Sequence, residues 1–207
     1  MKDHNCLRLA TRPMESAACE AVLRKLLDAT SSGSGAVREL LRAIQSTPLG
    51  KDMGIVCTSG SDPDDERTTT ARAYFAADAL SNPNPRPPDI VLVATQLKSA
   101  RELEHALVHE LVHALDHVNG MDMTQCDALA CSEVRANGKV ECGMAVQPWS
   151  AIGLACGAGG ADSRLCLALR RRCTLQSAVR ATGNVFGPDD ALASVHRVFD
   201  QCHNPAL

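Results

Sequence analysis

His109-Glu110-Leu111-Val112-His113 is the stretch of this chain whose residue types and spacing could do chemistry. Histidines four apart on a helix project from one face about a turn apart, so their imidazoles can converge on a single divalent ion. Glu110, rotated about 100° from His109, lies beside such an ion, where a carboxylate can act as base toward water. The pattern is that of zinc-dependent hydrolysis. A catalytic zinc needs a third protein ligand and an open position, and two candidates compete. Asp116 falls on the same helix face as the histidines. Glu133 follows His113 by twenty residues, within Cys131-Ser132-Glu133-Val134-Arg135. A glutamate from a second helix at about that distance is the His2Glu arrangement, and Glu133 is favoured. Asp116 then supports the site, hydrogen-bonded to a liganding imidazole or to the Glu133 helix. The plainer alternatives are two surface histidines, an idle carboxylate at Asp116, and Glu133 paired with Arg135 or Lys139.

These residues need elements to hold them. Residues 98–119 read as a long helix whose buried side carries Leu103, Leu107, Leu111, Ala114, Leu115 and Val118, with Gly120 ending it. Residues 126–136 read as the next helix. Before the long helix, residues 89–94 are the clearest strand. In zinc peptidases that layout puts an edge strand above the metal, where an extended peptide can add as a further strand; residues 90–94 are the expected edge. Helices are also expected over 15–29, 36–46, 163–180 and 189–202, and short strands over 54–57 and 71–76. Residues 59–70 form a polar acidic loop, 83–88 (PNPRPP) a rigid connector, and 153–160 a Gly-rich loop without the Lys-Ser/Thr of a phosphate loop. His105 and His117 extend the histidine ladder. One face cannot wrap one ion with four ligands when the outer pair lies about 18 Å apart, so both read as ordinary polar residues. His117 also stands where it could stabilise an oxyanion or cap the helix end. Arg170-Arg171-Arg172 reads as a solvated face or as a contact for acidic headgroups or a partner.

Composition narrows the class. With 207 residues, 45% hydrophobic and 22% charged, the chain suits one good-sized globular domain, expected over residues 15–205 behind a flexible 1–14. A net charge of −3 gives no basic field for nucleic acid, and no apolar run reaches membrane-span length. Aromatics are 2%, so Leu, Val and Ala must fill the core. Ten cysteines, an even number spread along the chain, favour disulfides and an oxidising compartment. The N-terminal twenty residues have no apolar signal region and carry Asp3, Glu15 and Glu20. Either the thiols are reduced, or oxidation occurs in a compartment reached without a cleaved signal. No CxxC pair occurs, which argues against a reduced interaction module built on structural zinc.

HELVHALDH at 109–117, followed by ACSEVRA at 130–136, resembles the family of mitochondrial inner-membrane metalloproteases that process and help assemble a subunit of ATP synthase. That family's pattern is a strand, a helix bearing HELxHAxDH, then ACSEIRA, a downstream cysteine and a basic cysteine-bearing helix. Here the matching parts are residues 90–94, 109–117, 130–136, Cys142 and RRRC at 170–173. The resemblance implies an α+β, zincin-like metalloendopeptidase stapled by disulfides. It implies Zn2+ on His109, His113 and Glu133, with Glu110 as base. It implies a peptide substrate, the N-terminal extension of an ATP synthase Fo subunit. It places the protein peripherally on the intermembrane-space side of the mitochondrial inner membrane, with no nucleic-acid partner. Members are oxidised during import, and the nine residues between Cys156 and Cys166 match the spacing of proteins trapped in that way. A second reading makes the protein an assembly chaperone with dispensable or absent proteolysis. The chain departs from the pattern at Leu92-Val93-Ala94-Thr95, where the family has Leu-Cys and an Asn. One family cysteine is therefore absent, which leaves the pairing of Cys6 and Cys19 open. SDPDDE at 61–66 is an unusual insertion, and the family's glycine-tyrosine turn is only echoed by Arg72-Ala73-Tyr74.

Overall fold

The computed structural model describes residues 13–28, 34–60, 71–76, 89–144, 156 and 163–203. Six α-helices occur among them: α1 Ser16–Leu27, α2 Gly35–Gln45, α3 Ala100–Val118, α4 Cys126–Lys139, α5 Arg164–Phe186 and α6 Pro188–Cys202. Three strands, β1 Gly54–Thr58, β2 Ala73–Ala76 and β3 Asp89–Val93, make one sheet. The class is α+β, as expected. The expected flexible 1–14 falls almost entirely outside the described residues, as do most of the acidic 59–70 loop, the PNPRPP connector and the Gly-rich loop apart from Cys156.

Sheet order is β1-β3-β2, with β1 parallel and β2 antiparallel to β3. The expected edge strand is therefore wrong. β3 lies at the centre, paired on both sides, and β2 is the edge that neighbours α3. The reason lies in composition: Ile90, Leu92 and Val93 are fully buried, and an unbroken apolar run suits an enclosed strand better than an exposed one. The parallel register starts from Gly54, whose N–H donates to Asp89 Oδ1 at 3.0 Å. A Cβ at position 54 would stand 2.4 Å from that oxygen, so glycine is what lets the two strands meet there.

Two hydrophobic clusters form. One joins α1, α2, the sheet and α3 through residues such as Val37, Ile44, Ile90, Leu92, Leu107 and Leu111. The other joins α4, α5 and α6 through Ala130, Val134, Ala178, Val195 and Phe199. α4 belongs to both, because Ala136 near its end packs into the first. Phe199 is the one aromatic ring among the buried core residues described, so the small chain fills its interior with aliphatic contacts.

α3 begins at a two-way cap. Ser99 Oγ accepts the Glu102 amide at 3.1 Å, and the Glu102 carboxylate accepts the Lys98 amide at 2.8 Å. Its end is marked by Gly120 at φ +89°, a conformation side-chained residues avoid. α4 runs three residues past its expected end and passes into a π turn, Val140–Met144. α5 extends to Phe186, six residues beyond the expected 180.

Four disulfides fasten these parts. Cys19–Cys57 ties α1 to β1, Cys131–Cys202 ties α4 to α6, Cys142–Cys173 ties the π turn to α5, and Cys156–Cys166 closes onto the start of α5. Cys126 is half-buried and has no disulfide partner among the described residues. Replacing Cys131 and Cys202 together by alanine is expected to lower stability by about 2 to 4 kcal/mol. Denaturant unfolding of the oxidised protein measures this, and hydrogen exchange should find α6 opening first. An unchanged midpoint would mean the bridge adds nothing to the α4–α6 contact.

Candidate metal centre

α3 delivers His109 and His113 from one face, and α4 delivers Glu133 opposite them. One donor atom from each lies within 4.8 Å of the others. The facing atoms are the Nε2 nitrogens. His109 Nε2 is 3.5 Å from Glu133 Oε2, and His113 Nε2 is 3.6 Å from Glu133 Oε1. The two imidazoles meet edge to face with centroids 4.8 Å apart. Two imidazole nitrogens and one carboxylate converging, with no fourth donor among the described residues, match what an ion with an open coordination position requires. The group could hold a metal.

Each of the three is braced from behind. His113 Nδ1 lies 2.7 Å from Ser132 Oγ, and His109 Nδ1 lies 3.3 Å from Glu141 Oε2. With Nε2 turned to an ion, each Nδ1–H donates to these oxygens, which fixes tautomer and ring plane together. Asn137 Nδ2 donates to Glu133 Oε2 at 2.9 Å and to the Glu133 carbonyl at 2.8 Å. Ser132, Asn137 and Glu141 all come from α4 or its π turn, so one continuous segment orients all three donors. Asn137 stands four residues after Glu133, a helical neighbour visible in the sequence. Ser132 and Glu141 carried no such signal. Glu141 is brought round by the π turn, a departure from the 3.6-residue period that pattern reading assumes.

Asp116 does not join the metal-competent group. Its side chain is buried and forms an ion pair with Arg135 on α4, the second of the two supporting contacts expected of it. Burial raises its pKa, against the pull of Ser132 and Arg135. Arg135 thereby crosses from α4 to α3, rather than pairing with Glu133 as the plainer reading had it. His105 is half-buried, and burial and then Arg101 lower its pKa. His117 packs edge-on against Phe75 of β2 with centroids 5.4 Å apart. Neither belongs to the metal-competent group.

Glu110 sits next to the group and is buried, 9% exposed. Burial pushes its carboxyl up to about 7, with further upward pressure from Glu133 and Glu141. The Phe75 backbone N–H of β2 donates to it and works the other way, as does His109. A carboxyl poised there can both take and return a proton near neutral pH. The histidines differ sharply. Burial holds His113 down to about 4. Burial also opposes charge on His109, but hydrogen bonds to Glu133 and Glu141 outweigh it and raise that pKa well above 6.5. Burial likewise opposes charge on Glu133, and the two histidines and Asn137 overcome it, so its pKa falls.

The Peptidase M76 family model matches residues 18–206. Over 117 residues the chain is 32% identical to a protein named mitochondrial inner membrane protease ATP23 from the yeast Meyerozyma guilliermondii. That match covers 56% of this chain and 46% of the relative, so it spans about half of the relative's length. No solved structure matches the chain.

Two outcomes follow from the charges buried here. The raised Glu110 pKa favours the metal-free fold only while the carboxyl stays protonated. Its contribution is complete below about pH 4.5 and is lost as pH rises through about 7. Between pH 5 and 8 metal-free wild type should therefore lose up to about 3 kcal/mol that metal-free Glu110→Gln does not lose. Urea melts of chelated protein across that range test this; parallel curves for the two proteins would sink it. Arg135→Met leaves Asp116 buried without its partner and is expected to cost about 3 to 5 kcal/mol. A loss under 1 kcal/mol in the same melts would show that Asp116 is neutral in the fold.

Proposed function

The chain belongs to the Peptidase M76 family, and from that premise we propose that it is a zinc-dependent endopeptidase of zincin-like architecture, built on residues 15–205. The observation that carries the reading is the convergence of His109, His113 and Glu133 beside a buried carboxyl, Glu110. The two imidazoles and the Glu133 carboxylate are the zinc ligands. A Zn2+ ion held there supplies Lewis acidity toward a peptide carbonyl and makes water nucleophilic at neutral pH. Glu110 accepts the proton released by the attacking water and returns it to the departing amine. Its elevated pKa suits both halves of that task. Asp116 has no part in the chemistry; it holds α4 in register through Arg135.

β2 is the strand along which substrate lies. In its antiparallel pairing with β3, the Arg72 carbonyl accepts from Val93, so residues 72, 74 and 76 turn their backbone groups toward β3 and residues 73 and 75 turn theirs away. The outward groups of Ala73 and the outward carbonyl of Phe75 offer an edge to an extended peptide. The same Phe75 amide reaches Glu110, which sets that edge beside the proton-handling residue.

The relative's name places it as a mitochondrial inner membrane protease, and we assign this chain the same membrane, on its intermembrane-space side. Four disulfides fit an oxidising compartment. Among the described residues no helix is long and apolar enough to cross a membrane, which accords with peripheral attachment. The substrate is the N-terminal extension of an ATP synthase Fo subunit, with assistance to ATP synthase assembly as an accompanying role.

Zinc per chain and cleavage of a peptide spanning that extension test the reading together. Wild type and Asp116→Asn should each hold close to one zinc, and Glu133→Gln should not. Glu110→Gln should keep its zinc and lose about 10²- to 10⁴-fold in turnover. Zinc lost with Asp116 but kept without Glu133 would reassign the third ligand. Assembly restored in cells by Glu110→Gln would put the chaperone role ahead of proteolysis.

A further inference from the structure

A cavity of about 450 Å³ opens between α2 and α5, with α3 and α4 beneath it. Its floor is apolar: Leu40 from α2, Val112 and Leu115 from α3, and Val134 from α4. Val112 and Val134 each adjoin a metal-competent residue in the chain, yet they line this cavity. It therefore backs onto the metal centre without being part of it.

The rim is cationic. Arg135, Lys139, Arg170 and Arg171 border the space, and Glu39 is the one carboxylate among the lining residues described. Two of the cations are already engaged. Arg135 is paired with Asp116, and Arg171 is paired with Asp200 while lying 4.6 Å from the centre of the Phe199 ring. Lys139 and Arg170 form no ion pair among the described residues. The Arg170 Nε is buried and has no hydrogen-bond partner among them. Buried guanidinium N–H groups are rarely left so, because an unmet donor forfeits its hydration.

The half-helix that carries Arg170 has a second feature. Leu165 and Leu167 are 62% and 44% exposed, on a segment that also holds Arg164, Arg171 and Arg172. Leu167 stands at the cavity. Exposed leucines among arginines are the composition of a surface that enters the headgroup layer of an anionic membrane.

We propose that this face seats one anionic phospholipid of a bilayer, its acyl chain in the cavity over Leu40, Val112 and Val134 and its phosphate between Lys139 and Arg170. Leu167, at the cavity, enters the interface alongside it. The inference stands on the cavity and its charges and does not depend on the peptidase reading. An apolar helix of a partner protein would also fit between α2 and α5, but it would leave the charges of Lys139 and Arg170 unmatched.

The test is flotation of the full oxidised chain with phosphatidylcholine vesicles and with vesicles of phosphatidylcholine and phosphatidylglycerol in equal parts. Wild type should float with the mixed vesicles alone. Lys139→Gln combined with Arg170→Gln should weaken that binding roughly thirtyfold, given what each basic residue contributes at an anionic surface. Ala168→Trp fills the cavity mouth and alters no charge; it should weaken binding by roughly tenfold or more through loss of the buried acyl chain. Zinc content and thermal midpoint should stay at wild-type values in both variants, which separates a lost lipid site from a lost fold. Wild type that ignores the mixed vesicles would overturn the proposal. So would full binding by the double glutamine variant, or by a folded Ala168→Trp, since adsorption by surface charge alone needs no cavity.

Discussion

The pair between Asp116 and Arg135 sets what the rest of the structure can do. A metal centre drawn from two helices works only if their register is held closely, and the contacts of the two histidines with Glu133, Ser132 and Glu141 share that task with this pair. Asp116 lies three residues beyond His113 on α3, and Arg135 lies two residues beyond Glu133 on α4. Their contact, buried on the carboxylate side, locks the helices next to the point where the donors converge. A buried carboxylate tolerates little displacement of its partner, because separation leaves a charge stranded in a poor solvent for it. The bracing of His113 by Ser132 and of Glu133 by Asn137 then has a fixed frame to act from.

How much of this was legible depended on whether a residue obeyed a simple period. α3 was legible because its apolar stripe and its stop at Gly120 agree with one another. Both histidines and Glu110 came with it. Between Asp116 and Glu133, spacing favoured Glu133 without excluding Asp116, since both positions are geometrically open to an ion. Packing resolves their placement: α4 brings Glu133 to the imidazoles and draws Asp116 off to Arg135. The edge strand was misread because a five-residue apolar run reveals that it is buried but not which neighbours bury it. Glu141 was invisible for a different reason. It reaches His109 only because the helix widens into a π turn, and nothing in the residue order announces that change of pitch. The pairing of cysteines was likewise beyond reach, as it depends on which distant segments pack together.

A small chain with five aromatic residues must find rigidity elsewhere. Its two hydrophobic clusters are mainly aliphatic, and the disulfides are distributed between them. Cys19–Cys57 lies within the sheet-bearing half. Cys131–Cys202 and Cys142–Cys173 lie within the half built on α4, α5 and α6, and they grip α4 and its π turn on either side of Glu133. Among the described residues no disulfide joins one half to the other. α4 shares side chains with both clusters, and the cavity proposed to take a lipid chain opens where the aliphatic packing between them is incomplete.

That distribution makes the metal centre a seam. His109 and His113 move with the sheet-bearing half, while Glu133, held between two crosslinked cysteines, moves with the helical half. An ion spanning the seam adds its binding free energy to whatever else opposes their separation. A loaded chain would then resist parting along that line more than a stripped one, in which Asp116–Arg135 and the bracing contacts span it without that ion.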